Sequence, residues 1–234
     1  YTFFASTPRQ LACVAQRRTE FVGTGHELLP VLTKHMVAYA KLHYAFVSNF
    51  RSHIAMWPSW TEVVEWYWGV LCDAAKDGAS VALHHDDDDD MVMYPYRWIV
   101  LSLRLLHATL DRWQRNRPAG TMFAGASGAQ FELQMVDVLL KTYLRLTPTD
   151  LERWQAHPEQ FAIEEDQGDD ELDIRPAATE LMRALSRHSF RSGKGAAPEV
   201  PNVSDYMWMQ FEASAQWPLT LEGVLAREVV YHAT

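Results

Sequence analysis

The sequence predicts an all-α protein in which antiparallel helix pairs stack into an α-solenoid. Apolar residues recur at helical spacing in almost every periodic segment. No segment shows convincing period-two alternation, and no hairpin dipeptide is found. Several predicted helices carry two apolar stripes, which indicates burial against neighbours on more than one side. That pattern suits a helix in a stacked array better than one on the surface of a small globule.

The first half of the chain contains three predicted helices. A long helical pattern runs from His26 to Trp57, with Pro30 in its first turn. The pair Ser59 and Glu62 has the spacing of a capping box and predicts a helix over about 60–76. Pro95 occupies the position expected of a proline that opens a helix, ahead of WIVLSLRLLHATLDRW.

The second half repeats the pattern. Apolar stripes predict a helix over about 131–146, and Thr147-Pro148-Thr149-Asp150 combines an N-cap candidate with a first-turn proline. Further helix starts are predicted at three places: Pro176, Ser204-Asp205 and Pro218.

The helices pair at intervals of about 35–45 residues, which is the period of HEAT or armadillo repeats. We therefore expect residues 1–234 to form one HEAT-repeat segment of roughly three to four repeats. The expected loops are 77–95, 116–130, 155–175 and 189–204. Long loops count against a compact bundle but are tolerated on a solenoid. Because the chain begins with Tyr1 rather than Met, we also expect it to belong to a longer polypeptide.

The composition is that of a globular protein, with 48% apolar and 22% charged residues. Only Cys13 and Cys72 are present, so no disulfide framework is expected, and a reducing compartment is favoured. No apolar run is long enough to cross a bilayer.

The net charge of −9 is concentrated in two short segments that contain no Lys or Arg. The first acidic segment comprises Asp86, Asp87, Asp88, Asp89 and Asp90. The second acidic segment holds eight carboxylates: Glu159, Glu164, Glu165, Asp166, Asp169, Asp170, Glu171 and Asp173. Removing those thirteen leaves 17 acidic against 21 basic residues, so the acidity is local. Such segments repel nucleic acid and are a better match for a basic protein partner. Solvated loops are the competing interpretation.

Motifs for enzyme chemistry are nearly absent. The sequence GASGA at Gly125–Ala129 is one position away from a G-x-S-x-G nucleophile elbow, with no strand before it, and a flexible linker is the favoured interpretation. Gly193-Lys194-Gly195 lacks the spacing of a phosphate-binding loop, and the HELLP sequence at His26 is not a zinc motif. No catalytic residue and no cofactor is expected.

The histidines and tryptophans are candidates for metal or ligand sites. His84-His85 beside five aspartates could bind a divalent metal, but a flexible run does not fix the ligand geometry, so no metal site is expected. The histidines His35, His43 and His53 lack metal-ligand spacing and are expected on the surface or packed. For the tryptophans, helix packing is favoured over pockets for aromatic ligands: Trp57, Trp60, Trp66, Trp68, Trp98 and Trp113.

One stretch carries a family resemblance. Between Leu139 and Ser186 a helix ends near Trp154, the turn His157-Pro158-Glu159-Gln160-Phe161 follows, then the second acidic segment, and Arg175-Pro176 opens an Ala- and Leu-rich helix. This order of elements resembles the importin-β (karyopherin-β) family. The segments KLHYAFVSNFRSHIAMWP and EWYWGVL are similar to the importin-eleven branch, including its fungal relatives. The closing LAREVVYHA is similar to the helix that follows the acidic loop region in these receptors. The corresponding signature residues are Trp154, Pro158, Glu159, Phe161, Arg175 and Pro176.

The resemblance implies a HEAT solenoid that carries protein cargo through the nuclear pore and shuttles between cytoplasm and nucleus. It implies three partners: basic cargo, phenylalanine-glycine (FG) repeats of nucleoporins bound between outer helices, and Ran-GTP, whose main site lies outside this segment. Neither direct nucleic-acid binding nor a membrane is implied, and the family has no catalytic residue. Three alternatives stay open at this point: an export receptor of the same architecture, a HEAT-repeat scaffold subunit without transport activity, and a helical enzyme.

Overall fold

A computed structural model describes residues 2–50, 58–78, 89–113, 125–167, 173–192 and 201–233. Within these ranges the regular secondary structure is helical, and no strand occurs. The helices are α1 (Thr2–Phe21), α2 (Leu29–Asn49), α3 (Pro58–Asp77), α4 (Tyr96–Trp113), α5 (Gly125–Val138), α6 (Pro148–Ala156), α7 (Pro158–Gln167), α8 (Ile174–Ser192), α9 (Val203–Ser214) and α10 (Leu221–Ala233). A 3₁₀ turn covers Asp89–Met91, and a π-helical turn, Leu139–Tyr143, continues α5. The all-α prediction is confirmed.

The chain divides into two compact units, residues 1–121 and 122–234. In the first unit α2 packs on α4, and α1 packs on α2 and α3. Its core is aromatic: Trp60 and Trp98 are buried, and Tyr67 stacks on Trp98 with ring centroids 5.4 Å apart. Trp66 meets the same indole edge-on at 5.6 Å. Of the tryptophans that could line a pocket for aromatic ligands, three are buried in the core, as the helix-packing interpretation predicts: Trp60, Trp68 and Trp98.

The second unit is built around the end of α5 and its π-helical turn, which contact α8, α9 and α10. Leu139 and Tyr143 from the π-helical turn are buried together with Leu181 and Leu185 from α8. The single segment predicted for residues 1–234 thus appears as two units, and its continuity as one solenoid stays a prediction.

Local sequence explains several helix starts. Thr147 accepts a hydrogen bond at its hydroxyl from the Asp150 amide at 3.1 Å, and the Asp150 carboxylate accepts one from the Thr147 amide at 2.7 Å. This reciprocal capping box opens α6, as the sequence predicts. Pro30 lies in the first turn of α2, also as predicted. An amide N–H at that position has no intrahelical acceptor, so the missing N–H of proline costs no hydrogen bond there.

Other predicted starts are displaced. α3 begins at Pro58, so Ser59 lies inside its first turn and not at the N-cap. The N-cap of α9 is Asn202, whose side chain accepts from the Asp205 amide at 2.9 Å. α10 begins at Leu221, three residues after Pro218. Each observed start lies within a few residues of the predicted one.

Helix also replaces two segments predicted as loops. α5 begins at Gly125, inside the predicted loop 116–130, so the linker interpretation of Gly125–Ala129 is wrong. α7 lies within the predicted loop 155–175, because Pro158 at the first position and Glu159 in the first turn favour a helix start, and Gln, Ala and Glu propagate it. No element was predicted for the first 25 residues, where α1 runs through Pro8.

Candidate interaction surfaces

The carboxyl end of the first acidic segment is built into the fold of the first unit. Asp89 accepts the Tyr96 amide at its Oδ1 at 2.7 Å, which caps the start of α4. The carbonyl of Asp90 accepts the Gly23 amide at 3.0 Å. Both aspartates are half-buried. These two members of the predicted partner surface therefore hold internal contacts.

The guanidinium of Arg18 anchors the same turn. Arg18 is fully buried on α1 and donates to the carbonyls of Val92 at 2.6 Å, Met93 at 2.7 Å and Asp89 at 2.5 Å. Its Nε donates to the Thr33 hydroxyl on α2 at 2.8 Å. Burial lowers the pKa of Arg18, and the nearby charges of Asp89 and Asp90 oppose that shift. The 3₁₀ turn is thus bound to α1 and α2 through a desolvated cation.

The remaining acidic residues divide into those on described elements and those outside them. Glu159 is exposed at the start of α7, and Asp173 is half-buried, with its carbonyl accepting the Ala177 amide at the start of α8. Glu164, Glu165 and Asp166 lie in the second half of α7. Asp86, Asp87, Asp88, Asp169, Asp170 and Glu171 lie outside the described residues. Partner binding by the acidic segments stays a prediction.

The signature residues of the family resemblance lie on three consecutive helices. Trp154 is 52% exposed on α6. Pro158 is the first residue of α7, and the Phe161 amide donates to the His157 carbonyl at 3.0 Å. Arg175 and Pro176 lie in the first turn of α8. The turn between α6 and α7 is the part of the signature that adopts a defined helix–helix connection.

Arg175 ties α8 to α10. Its side chain is 13% exposed and pairs with Glu228, and one turn later the Thr179 hydroxyl lies 3.0 Å from His232 Nε2. Burial lowers the pKa of His232 to about 4, and the charges of Arg175 and Arg183 add to the effect. His232 is therefore neutral near pH 7, and this region is a structural contact between helices.

An exposed aromatic surface lies on α9 and α10, and sequence analysis did not single it out. Trp208 stacks on Phe211 with centroids 5.5 Å apart and an interplanar angle of 17°, and Phe211 meets Tyr231 at 5.4 Å. Trp208 and Tyr231 are 58% and 55% exposed. We call these three residues the α9–α10 aromatic surface. Its sequence signal was the i, i+3 aromatic pair Trp208–Phe211 on α9, with Phe211 one turn after the buried Met207.

Next to that surface, α10 lines an open groove of about 490 Å³. The lining residues are Val224, Arg227, Glu228, Tyr231 and His232. Arg227 also donates from Nε to the Ser214 carbonyl at 2.7 Å, so it holds the turn between α9 and α10 in place. The groove offers an apolar wall with charged groups beside it.

The histidines His35 and His43, both on α2, have different environments. His43 is buried between the Tyr67 hydroxyl and the Thr7 hydroxyl, each 3.0 Å from a ring nitrogen. Burial lowers the pKa of His43 to about 4, so it is a neutral core residue. His35 is exposed on α2.

Among the described residues, no group of three or more His, Cys, Asp or Glu side chains is arranged to hold a metal ion. His53, His84, His85 and Gly193-Lys194-Gly195 fall outside the described ranges. A search of the described helices also finds none with the length and hydropathy of a membrane span.

Comparison with known protein families finds no matching family, and comparison with curated proteins finds no match. Among solved structures, Lph2, described as a novel bidirectional nuclear transport receptor in S. cerevisiae, is similar to this chain with a TM-score of 0.72. This chain therefore shares the helical fold of a segment of that receptor.

The similarity covers 99% of this chain at 18% sequence identity, and it covers 22% of the Lph2 chain. The chain therefore spans about a fifth of the length of that receptor. At this identity the likeness concerns the fold, and it confirms the helical architecture that the resemblance to importin-β implies.

Proposed function

We propose that this chain is a segment of a nucleocytoplasmic transport receptor that imports proteins through the nuclear pore. The observation that carries the proposal is the fold similarity to a nuclear transport receptor, which extends over 99% of the chain. The importin-β-like order of Trp154, the turn at Pro158, the second acidic segment and Arg175 supports it independently, because it comes from the sequence.

Three partners follow from this function. Basic protein cargo matches the local excess of carboxylates, since complementary charge raises association rates and specificity. FG repeats of nucleoporins are the second partner, and the groove beside Val224 and Tyr231 is a candidate site for a phenylalanine side chain. Ran-GTP is the third, with its main site outside this segment. A protein with these partners shuttles between cytoplasm and nucleus.

The decisive experiment is a pull-down from nuclear extract with the complete polypeptide, with and without GTP-locked Ran. Import activity predicts that Ran-GTP displaces the bound cargo. Failure to bind both Ran-GTP and FG repeats would instead support a HEAT-type scaffold without transport activity.

Export is the second candidate function, favoured by the description of the structurally similar Lph2 as bidirectional. The same pull-down separates the two. An exported cargo is retained more strongly when Ran-GTP is present, and a receptor working in both directions shows one set of proteins released and another retained.

The role of the second acidic segment is tested by replacing its carboxylates with Ser or Asn. The substituted positions are Glu164, Glu165, Asp166, Asp169, Asp170 and Glu171. If these residues meet a basic partner, binding weakens at low salt and the difference shrinks at high salt, because screening removes long-range attraction. Unchanged binding of Ran and basic cargo at low salt would leave the segment as a solvated connection.

A further inference from the structure

The outward face of α9 combines an exposed indole with two exposed carboxylates. Asp205, Trp208, Met209 and Glu212 are spaced by three and four residues, so they share one side of the helix. All four are exposed, whereas Val203 and Met207 on the opposite side are buried. Trp208 thus stands about one helical turn from a carboxylate in each direction.

The indole of Trp208 is held in a defined position. Its Nε1 donates to Oε1 of Glu212 at 3.0 Å, and Phe211 stacks against the ring. With 58% of Trp208 exposed, a large part of the ring faces solvent. The hydrogen bond uses one carboxylate oxygen of Glu212, which keeps the negative charge beside the ring.

The charge around this face is negative. The sequence of α9, VSDYMWMQFEAS, contains Asp205 and Glu212 and no basic residue. Cations on neighbouring elements have other partners: Lys141 pairs with Asp137 at 2.7 Å, Arg145 pairs with Glu222 at 2.6 Å, and Arg227 donates to the Ser214 carbonyl at 2.7 Å. An aromatic face beside carboxylates is the environment that a Lys or Arg side chain prefers, since the ring quadrupole and the carboxylates both attract the cation.

We propose that the outward face of α9 binds a lysine or arginine side chain of a partner protein, with the Trp208 indole under the cation and Asp205 and Glu212 on either side. The inference rests on the proposed function for the nature of that partner, a basic cargo protein. The binding chemistry itself depends only on the residues of α9.

The test is fluorescence anisotropy of a labelled peptide of alternating arginine and glycine, titrated with the purified chain at low salt. A matched peptide with citrulline in place of each arginine keeps the shape and removes the charge. The variants are Trp208→Ala, the conservative Trp208→Phe and Glu212→Gln. Trp154→Ala is the control, because Trp154 is similarly exposed, at 52%, on α6.

We expect Trp208→Ala to weaken binding of the arginine peptide about two- to fivefold, as loss of an exposed cation–π contact predicts. The affinity of Trp208→Phe for the arginine peptide should lie between those of Trp208→Ala and the parent, since a phenylalanine ring is a weaker cation–π partner than indole. Glu212→Gln should weaken binding and flatten its salt dependence. Trp154→Ala should leave binding unchanged.

Two results would overturn the proposal: equal effects of Trp208→Ala and Trp154→Ala, or equal affinity for the citrulline and arginine peptides. The second result would identify a purely apolar contact surface. Ran is absent from this assay, so a failure of this inference can be told apart from a failure of the proposed transport function. If the peptide binds in a Trp208-dependent way while the complete polypeptide binds neither Ran-GTP nor FG repeats, the transport function is contradicted and this inference stands.

Discussion

Arg18 on α1 donates from Nη1 to the carbonyl oxygen of Val92 at 2.6 Å, joining parts of the chain 74 residues apart. The same guanidinium reaches Met93 and Asp89, so a single buried side chain holds the turn that precedes α4. Buried carbonyls that lose a charged donor have no water to replace it.

Replacing Arg18 should therefore destabilise the first unit. We expect Arg18→Met to lower the free energy of unfolding by about 2–4 kcal/mol, because several hydrogen bonds to a charged donor are lost at once. Urea denaturation measures the change. The control is Arg17→Ala: Arg17 is 68% exposed and pairs with Glu20 three residues on, so its replacement should lower the free energy of unfolding by about 0–0.5 kcal/mol. Equal effects of the two substitutions would contradict the anchoring role.

His43 should make stability depend on pH. Its folded-state pKa of about 4 lies below the unfolded value of 6.5, so the unfolded chain binds a proton more readily between these values. The contribution of His43 is fully present above pH 6.5 and is lost as pH falls to about 4. Between pH 7 and pH 5 the free energy of unfolding should fall by about 2 kcal/mol through His43.

The measurement compares urea unfolding of the parent and His43→Gln at pH 7, 6 and 5. The variant should show a flatter dependence, and His35→Gln, at an exposed position on the same helix, should keep the parent slope. The low pKa of His232 affects all three proteins alike and cancels in the comparison. A parent and a His43→Gln variant with parallel pH profiles would show that His43 is not desolvated.

Gly223 on α10 should not tolerate a side chain. A Cβ at this position would lie 2.1 Å from the Pro218 carbonyl oxygen, which is backbone and cannot move aside by rotating a side chain. We expect Gly223→Ala to cost about 1–3 kcal/mol. Gly69→Ala is the matched substitution, because nothing lies within 4 Å of its Cβ position on α3.

The Gly69→Ala control should raise the free energy of unfolding by up to about 1 kcal/mol, because alanine has a better helix propensity than glycine. Thermal unfolding of the two variants side by side measures both effects. Destabilisation by Gly69→Ala of the same size as by Gly223→Ala would refute the packing argument.

The Arg175–Glu228 pair should contribute more than an exposed pair of the same type. Arg175 is 13% and Glu228 34% exposed, so water screens the interaction only in part. A double-mutant cycle with Arg175→Ala and Glu228→Ala should give a coupling of about 1 kcal/mol or more. The comparison pair is Arg183–Glu180 on the surface of α8, at 65% and 47% exposure, where we expect about 0–0.5 kcal/mol.

Sequence predicted the features that depend on a few neighbouring residues. The start of α6 was one of these, since Thr147 and Asp150 satisfy each other's amides within one turn. The helical class also follows from local periodicity. The sequence does not predict α7, because a run of carboxylates without basic residues is typical of a loop, although Pro158 and Glu159 favour a helix start.

Contacts between residues far apart in the sequence could not be predicted from local patterns. The first acidic segment appeared as five equivalent aspartates, yet Asp89 caps α4 and accepts from Arg18, 71 residues away. In the same way composition could not separate Trp98, which is buried, from Trp208, which is 58% exposed. Which tryptophan faces solvent depends on the packing of other helices.

The attachment made by Arg18 has an evolutionary consequence. The oxygens that it binds on Asp89, Val92 and Met93 all belong to the main chain, and every amino acid carries one. Side chains at Val92 and Met93 can therefore diverge between species without releasing the guanidinium, while a change at Arg18 releases all three positions together. Among related chains we expect the arginine to be retained while the residues at positions 92 and 93 vary.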